Sequence, residues 1–119
     1  MQHHILISLA SNHEQTQNLA EARRRLEQIV APDRYSEAIW TDPVGGKSKE
    51  QYLNQLLYAT TDMDVKQLET TLKEVERLMG RTQEERNQGI VRIDLDLMRY
   101  DNQRYHLRDW SREYVKRLL

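Results

Sequence analysis

Ile90-Val91-Arg92-Ile93-Asp94-Leu95-Asp96-Leu97-Met98-Arg99 alternates between apolar and charged side chains from Val91 to Leu97. Val91, Ile93, Leu95 and Leu97 fall on one side of an extended chain, and Arg92, Asp94, Asp96 and Met98 on the other. A period of two predicts a β-strand over 90–99 with one face on a core and the other polar.

Reading backwards, Thr82 to Gly89 holds no apolar residue and predicts a loop or a short solvated helix. Val65 to Met79 carries Leu68, Leu72, Val75 and Met79 at helical spacing. Asp62 or Asp64 can cap that helix, and Gly80 can stop it. Tyr52 to Thr60 predicts a strand, preceded by the polar loop Lys47 to Gln51 and the turn chemistry of Asp42-Pro43-Val44-Gly45-Gly46. Tyr35 to Trp40 predicts another strand. Glu14 to Val30 predicts a helix with Leu19, Ala22, Leu26, Ile29 and Val30 on one face, capped from Ser11 or Asn12 and closed by Pro32. Ile5 to Leu9 opens the chain as a buried strand. After the deciding strand, Asp109 to Leu118 is an amphipathic helix with Trp110, Tyr114, Val115 and Leu118.

The order β-α-β-β-α-β plus a terminal helix predicts an α+β fold of ferredoxin-like type, one domain over 1–119. Two helices are expected on one face of an antiparallel sheet, with the other face partly open.

Apolar residues are 38% and charged residues 31% of 119, so the core is small and the protein is expected as a monomer or homodimer. A net charge of −1 provides no global field for nucleic acid or an anionic membrane. With no cysteine, disulfides, zinc fingers and thiol catalysis are excluded. The N-terminal residues show no basic region followed by an apolar run, and no apolar run reaches membrane-span length, so the cytoplasm is the expected location. An RNA-binding role is disfavoured, because the strands lack an aromatic-Gly-aromatic stacking motif.

Asp94 and Asp96, at i and i+2 on a strand, point to the same side. Two neighbouring carboxylates repel unless a cation lies between them, and hard oxygen ligands suit Mg²⁺ shared with substrate phosphates. The alternative is a solvated strand face. Arg92 is expected on that same face, either beside a transferring phosphoryl group or in a structural salt bridge to Asp94. Arg104, Arg108, Arg112 and Lys116 recur at four-residue steps, which fits a solvated helix face or a phosphate-binding stripe. His3 and His4 are adjacent and would diverge on a strand, while His13 and His106 are isolated in sequence; none is assigned to a metal or to acid–base work.

Taken together, these residues resemble the 6-hydroxymethyl-dihydropterin pyrophosphokinase family of folate synthesis, which has a ferredoxin-like fold. Ala10-Ser11-Asn12 is similar to the family's Gly-Ser-Asn. Thr41-Asp42-Pro43-Val44-Gly45 followed by Tyr52-Leu53-Asn54 is similar to its pterin loop. Glu76 with Gly80-Arg81 resembles the end of its second helix, and Asp94-Leu95-Asp96-Leu97-Met98 its metal strand. The resemblance implies that Asp94 and Asp96 hold two Mg²⁺ ions with ATP. The pterin hydroxymethyl oxygen would then attack the β-phosphorus, and AMP would leave. It implies catalytic roles for Arg81 and Arg92, and a nucleotide side built from Glu76 and Arg112. It implies a pterin site of Thr41, Pro43, Val44, Tyr52, Asn54 and Tyr114. A non-catalytic relative binding a pterin, nucleotide or protein partner is the alternative. The sequence departs from the family in four places. Val91 stands where the signature has arginine, Gln83 and Gln88 stand at the loop's arginine and tryptophan, the Pro-His segment has no counterpart between Leu107 and Arg112, and the chain stops shortly after Tyr114.

Overall fold

The computed structural model of the chain describes residues 2–43, 50–80 and 82–119. Two predicted site residues, Val44 and Arg81, lie outside that set. The described elements run β1 (His3–Ser11), α1 (Gln15–Leu26), β2 (Ala31–Tyr35), β3 (Ile39–Thr41), β4 (Tyr52–Thr61), α2 (Val65–Leu78), α3 (Gln83–Asn87), β5 (Asp94–Tyr100), β6 (Gln103–Arg104), α4 (Leu107–Trp110) and α5 (Glu113–Leu118). The six strands form one antiparallel sheet in the order β2-β4-β1-β5-β6, with β3 also pairing with β4. The α+β architecture expected from the sequence is present.

Strand alternation splits the apolar residues into two clusters. Ile5, Ile7 and Leu9 of β1, Leu53, Leu57 and Ala59 of β4, and Leu95 and Leu97 of β5 pack under Leu19, Ala22 and Leu26 of α1 and Leu68, Leu72 and Val75 of α2. The other side of the sheet has its own smaller core. There Leu6, Leu56 and Met98 are covered by Trp110, Val115 and Leu118. The C-terminal segment thus roofs one half of the second face. The sequence put Met98 on a polar face; it is buried because that face is covered at the Met98 end.

Several local readings are corrected. The strand expected over 90–99 begins at Asp94, because Gly89 and Val91 are bonded to Asn12, and the Ile90 N–H to the Glu85 carbonyl, instead of to a neighbouring strand. Asn12 does not cap α1; Glu14 stands at that position in a left-handed conformation with no side-chain cap. The strand expected over 35–40 is two strands. Between them, the Ser36 hydroxyl accepts the Leu56 N–H at 2.9 Å, a local side-chain substitute for the backbone ladder. Pro32 lies inside edge strand β2, where a missing N–H on the outer side costs no ladder bond. The terminal helix is broken into α4 and α5. Asp64 is the α2 cap: its carboxylate accepts the Gln67 N–H at 2.8 Å and Gln67 returns the bond, a capping box.

Candidate functional site

The half of the second sheet face that α4 and α5 leave uncovered is a cavity of about 590 Å³. Its floor is set by strand register. Ala10 pairs with Asp94 on one side and Asn54 on the other, and Ser8 pairs with Asp96 and Leu56. Small residues on β1 therefore lie between the two aspartates and β4, and leave the space open. Thr41, Asp42 and Tyr52 form one wall; Asp109, Arg112, Glu113 and Tyr114 form the other. Among the predicted residues, Asp94, Asp96, Thr41, Tyr52, Asn54, Arg112 and Tyr114 are thus brought together. Pro43 is half-buried and follows Asp42 without forming part of the wall.

Two side chains aim the acid pair. Leu95 is 1% exposed and packs into the helix-side core, so its neighbours must face the cavity. Glu76, 2% exposed on α2, accepts the Leu95 N–H at 2.7 Å. Among the described residues, β6 pairs with Arg99 and Tyr100 and no strand lies beyond Leu95, whose N–H Glu76 satisfies instead. Burial, helped by the neighbouring Asp94 charge, pushes the Asp96 carboxyl up to about 6. The His106 imidazole, with Nε2 3.7 Å from Asp96 Oδ1, opposes that rise.

Asn54 is 2% exposed and its Nδ2 donates to Thr41 Oγ1 at 2.8 Å and to the carbonyls of Ile39 and Tyr52 at 3.3 Å. Those acceptors fix the amide, with Oδ1 as its other polar atom. Burial raises the Tyr114 phenol, and the Ser8 hydroxyl hydrogen-bonds to it.

Arg92 is placed differently from its expected position. It precedes β5, and its Nε donates to Glu85 at 2.9 and 3.0 Å while its Nη2 donates at 2.8 Å. This bidentate pair ties the approach to β5 onto α3, and Arg92 is not among the residues that line the cavity with the aspartates. Glu76 lies on the opposite side of β5 from the acid pair, in a smaller recess of about 320 Å³ with Lys73, Arg77, Thr82, Gln83 and Arg86. Arg112 reaches the main cavity, with Nε 3.0 Å from Asp109.

Sequence reading missed three contributors. Ser8 was hidden within an apolar strand, Asp109 within an amphipathic helix, and His106 stood alone in sequence. Only the fold brings His106 to Asp96. The Ala10-Ser11-Asn12 motif anchors the approach to β5 and does not cap α1. Asn12 Nδ2 donates to Gly89 O at 2.8 Å, its Oδ1 accepts from Val91 N at 2.6 Å, and its own N–H donates to Val91 O at 2.9 Å.

Residues 6–119 match the sequence profile of the family described as 7,8-dihydro-6-hydroxymethylpterin-pyrophosphokinase. The chain belongs to this family. It is also 27% identical over 121 residues to the folate synthesis bifunctional protein of Arabidopsis thaliana, covering 93% of this chain. The chain spans 25% of that relative's length. The described lining of the cavity above holds two tyrosines, five carboxylates and one arginine. A larger open depression of about 850 Å³ lies at the other end of the strands, beside Thr60 and Thr61, with Glu27 and Asp62 as its charged groups. Among the described residues no helix is long and apolar enough to cross a membrane.

Proposed function

We propose that this chain transfers a pyrophosphoryl group from Mg-ATP to 6-hydroxymethyl-dihydropterin. The observation that carries the reading is the convergence of Asp94 and Asp96 with Thr41, Tyr52, Asn54 and Tyr114 on one cavity. The donor set fits divalent cations. Two carboxylates on one strand face, one of them pushed up by burial and by its neighbour, are stabilised by a hard cation. Asp94 and Asp96 would hold Mg²⁺, which would supply charge neutralisation to the polyphosphate.

The chain's own residues perform binding and orientation. Asn54, fixed by Thr41, presents its carbonyl oxygen to ring N–H groups of a pterin. Tyr114 offers an aromatic face for the ring, and burial raises its phenol above its ordinary value. The hydroxymethyl oxygen attacks the β-phosphorus, AMP departs, and the pyrophosphoryl group stays on the pterin oxygen. Arg81, with Arg112 on the nucleotide side, and Val44 and Pro43 on the pterin side, are proposed from the resemblance, whereas Glu76 acts on the acid pair through the Leu95 backbone. We assign Arg92 to holding α3 through Glu85 instead of to direct contact with phosphate. Pterin-dependent release of AMP from ATP and Mg²⁺ by the folded protein is the expected result; AMP formation that ignores the pterin, or none, overturns the proposal.

A second reading, binding of a pterin or nucleotide without turnover, is favoured by one observation. Arg92, the arginine nearest the missing signature position, is bound to Glu85 and not directed at the acid pair. Pterin binding by calorimetry with no AMP formed distinguishes this reading from the first.

A further inference from the structure

Asp42 lines the cavity on the same wall as Thr41 and Tyr52, beside Asn54. Thr41 pairs with Tyr52 across β3 and β4, so Asp42 and Gln51 stand opposite each other just beyond that last pair. Gln51 Nε2 donates to Asp42 Oδ1 at 3.0 Å. Gln51 is held in turn, because Gln15 Nε2 at the start of α1 donates to its carbonyl at 3.0 Å. These two bonds fix the Asp42 carboxylate and anchor it to a helix outside the sheet. A carboxylate has about four lone-pair sites, so the single bond from Gln51 leaves it able to accept from a ligand.

Strand order sets the distance between this carboxylate and the acid pair. Ile39 pairs with Asn54, Asn54 with Ala10, and Ala10 with Asp94. The β3 end of the cavity and β5 are therefore three strand spacings apart, roughly 14 Å. Asp42 stands apart from the cation-binding pair and serves the other end of an occupant that spans the cavity. With phosphate at β5, the far edge of the heterocycle lies toward β3. The side chains there offer acceptors. A carboxylate accepts only, and Asn54 Nδ2 is already committed to Thr41 Oγ1 at 2.8 Å, which leaves its Oδ1 for a ligand. Two acceptors at one end of the cavity suit a ring edge carrying N–H groups and disfavour a ring carbonyl.

We infer that Asp42 is a specificity-determining residue: its carboxylate accepts an N–H from the amino end of the heterocycle and, with Asn54, selects a 2-amino ring over its 2-oxo counterpart. The inference rests on the pterin reading of Proposed function and adds a charged acceptor to it. A hydrogen bond to a carboxylate is roughly twice as strong as one between neutral groups. A site built to accept an N–H also rejects the analogue that lacks it, because the acceptor is then left unpaired.

The test is calorimetric titration of the full chain, without nucleotide, by 6-hydroxymethylpterin and by 6-hydroxymethyllumazine, in which a carbonyl replaces the 2-amino group. Wild type is expected to bind the pterin at least tenfold more tightly than the lumazine. Asp42→Asn keeps the shape and an oxygen for Gln51 but offers a donor in place of the second acceptor. It is expected to bring the preference below threefold. Asp42 is exposed, so this variant and Asp42→Ala leave the core intact. Asp42→Ala is expected to weaken pterin binding at least fivefold. Gln51→Ala frees the carboxylate without removing it, and is expected to weaken pterin binding while keeping a larger preference than either Asp42 variant. A preference unchanged in both Asp42 variants, or a wild type that binds the two rings equally or binds neither, overturns the inference. Pterin-dependent AMP formation by a protein whose ring preference ignores Asp42 rejects the inference and leaves the pyrophosphokinase proposal standing. A preference that depends on Asp42 in a protein that forms no AMP leaves the inference standing and rejects turnover.

Discussion

The buried Glu76 carboxylate on α2 accepts the backbone N–H of Leu95 at 2.7 Å, beneath the residue that separates Asp94 from Asp96. A side chain on the helix face thereby holds the strand that presents two acids on the opposite face. Glu76→Ala leaves the Leu95 N–H without this acceptor, and is expected to cost about 2–3 kcal/mol. Glu76→Gln restores an acceptor and should recover part of the loss. Urea unfolding measures both. If Glu76 acts as a positioning residue, Mg²⁺ affinity falls in Glu76→Ala and recovers partly in Glu76→Gln.

Asn12 is the corresponding device at the start of β5. Asn12→Ala removes the acceptor of the Val91 N–H and the donor to Gly89 O. The expected cost is about 2 kcal/mol, with loss of amide-exchange protection confined to residues 89–91 and the adjoining end of β5. Protection that is unchanged at Val91 would contradict this role.

The Asp96 carboxyl sits at about 6 in the folded protein against an ordinary 3.8. The folded form therefore binds more protons than the unfolded chain between those values, and this group's contribution to stability falls as pH rises through that window. The metal-free protein should lose stability relative to Asp96→Asn on going from pH 4 to pH 7, by on the order of 1 kcal/mol after allowance for solvent screening. Thermal or urea unfolding of the two proteins across that range gives the difference directly. Asp94→Asn should lower the Asp96 midpoint only part of the way, since burial is the larger cause. Carboxyl-resolved NMR titration reads that shift.

The Glu85–Arg92 pair has the opposite dependence. Arg92 donates to Glu85 through Nε and Nη2 and holds its carboxyl below the usual range. Its share of stability is full above the unfolded value and is lost as pH falls through the folded one. Arg92→Ala should lower stability by under about 1 kcal/mol, because both partners are partly exposed. Its effect on AMP formation should be far smaller than that of Asp96→Asn. An equal loss of activity in the two variants would return Arg92 to the reaction.

The period-two pattern around Leu95 and the helical stripes of α1 and α2 made the α+β class and the face shared by Asp94 and Asp96 legible in the sequence. Long, periodic elements buried on one side carry that signal. What was illegible depended on contacts between distant segments. Asn12 takes up the backbone of Gly89 and Val91, so β5 begins later than its alternation implies. Ser36 replaces a backbone acceptor with its own hydroxyl and divides an edge strand. Met98 is apolar on a face that appeared polar because α4 and α5 return to cover it. His106 had no partner at any regular spacing, and its position beside Asp96 follows from that same return.

The most direct test of the central claim is calorimetric titration of a non-hydrolysable ATP analogue with and without Mg²⁺. Wild type is expected to bind the analogue at least tenfold more tightly with Mg²⁺ present, and the Asp94→Asn, Asp96→Asn double variant to show no such gain while unfolding cooperatively. A double variant that keeps the full Mg²⁺-dependent gain would contradict the account.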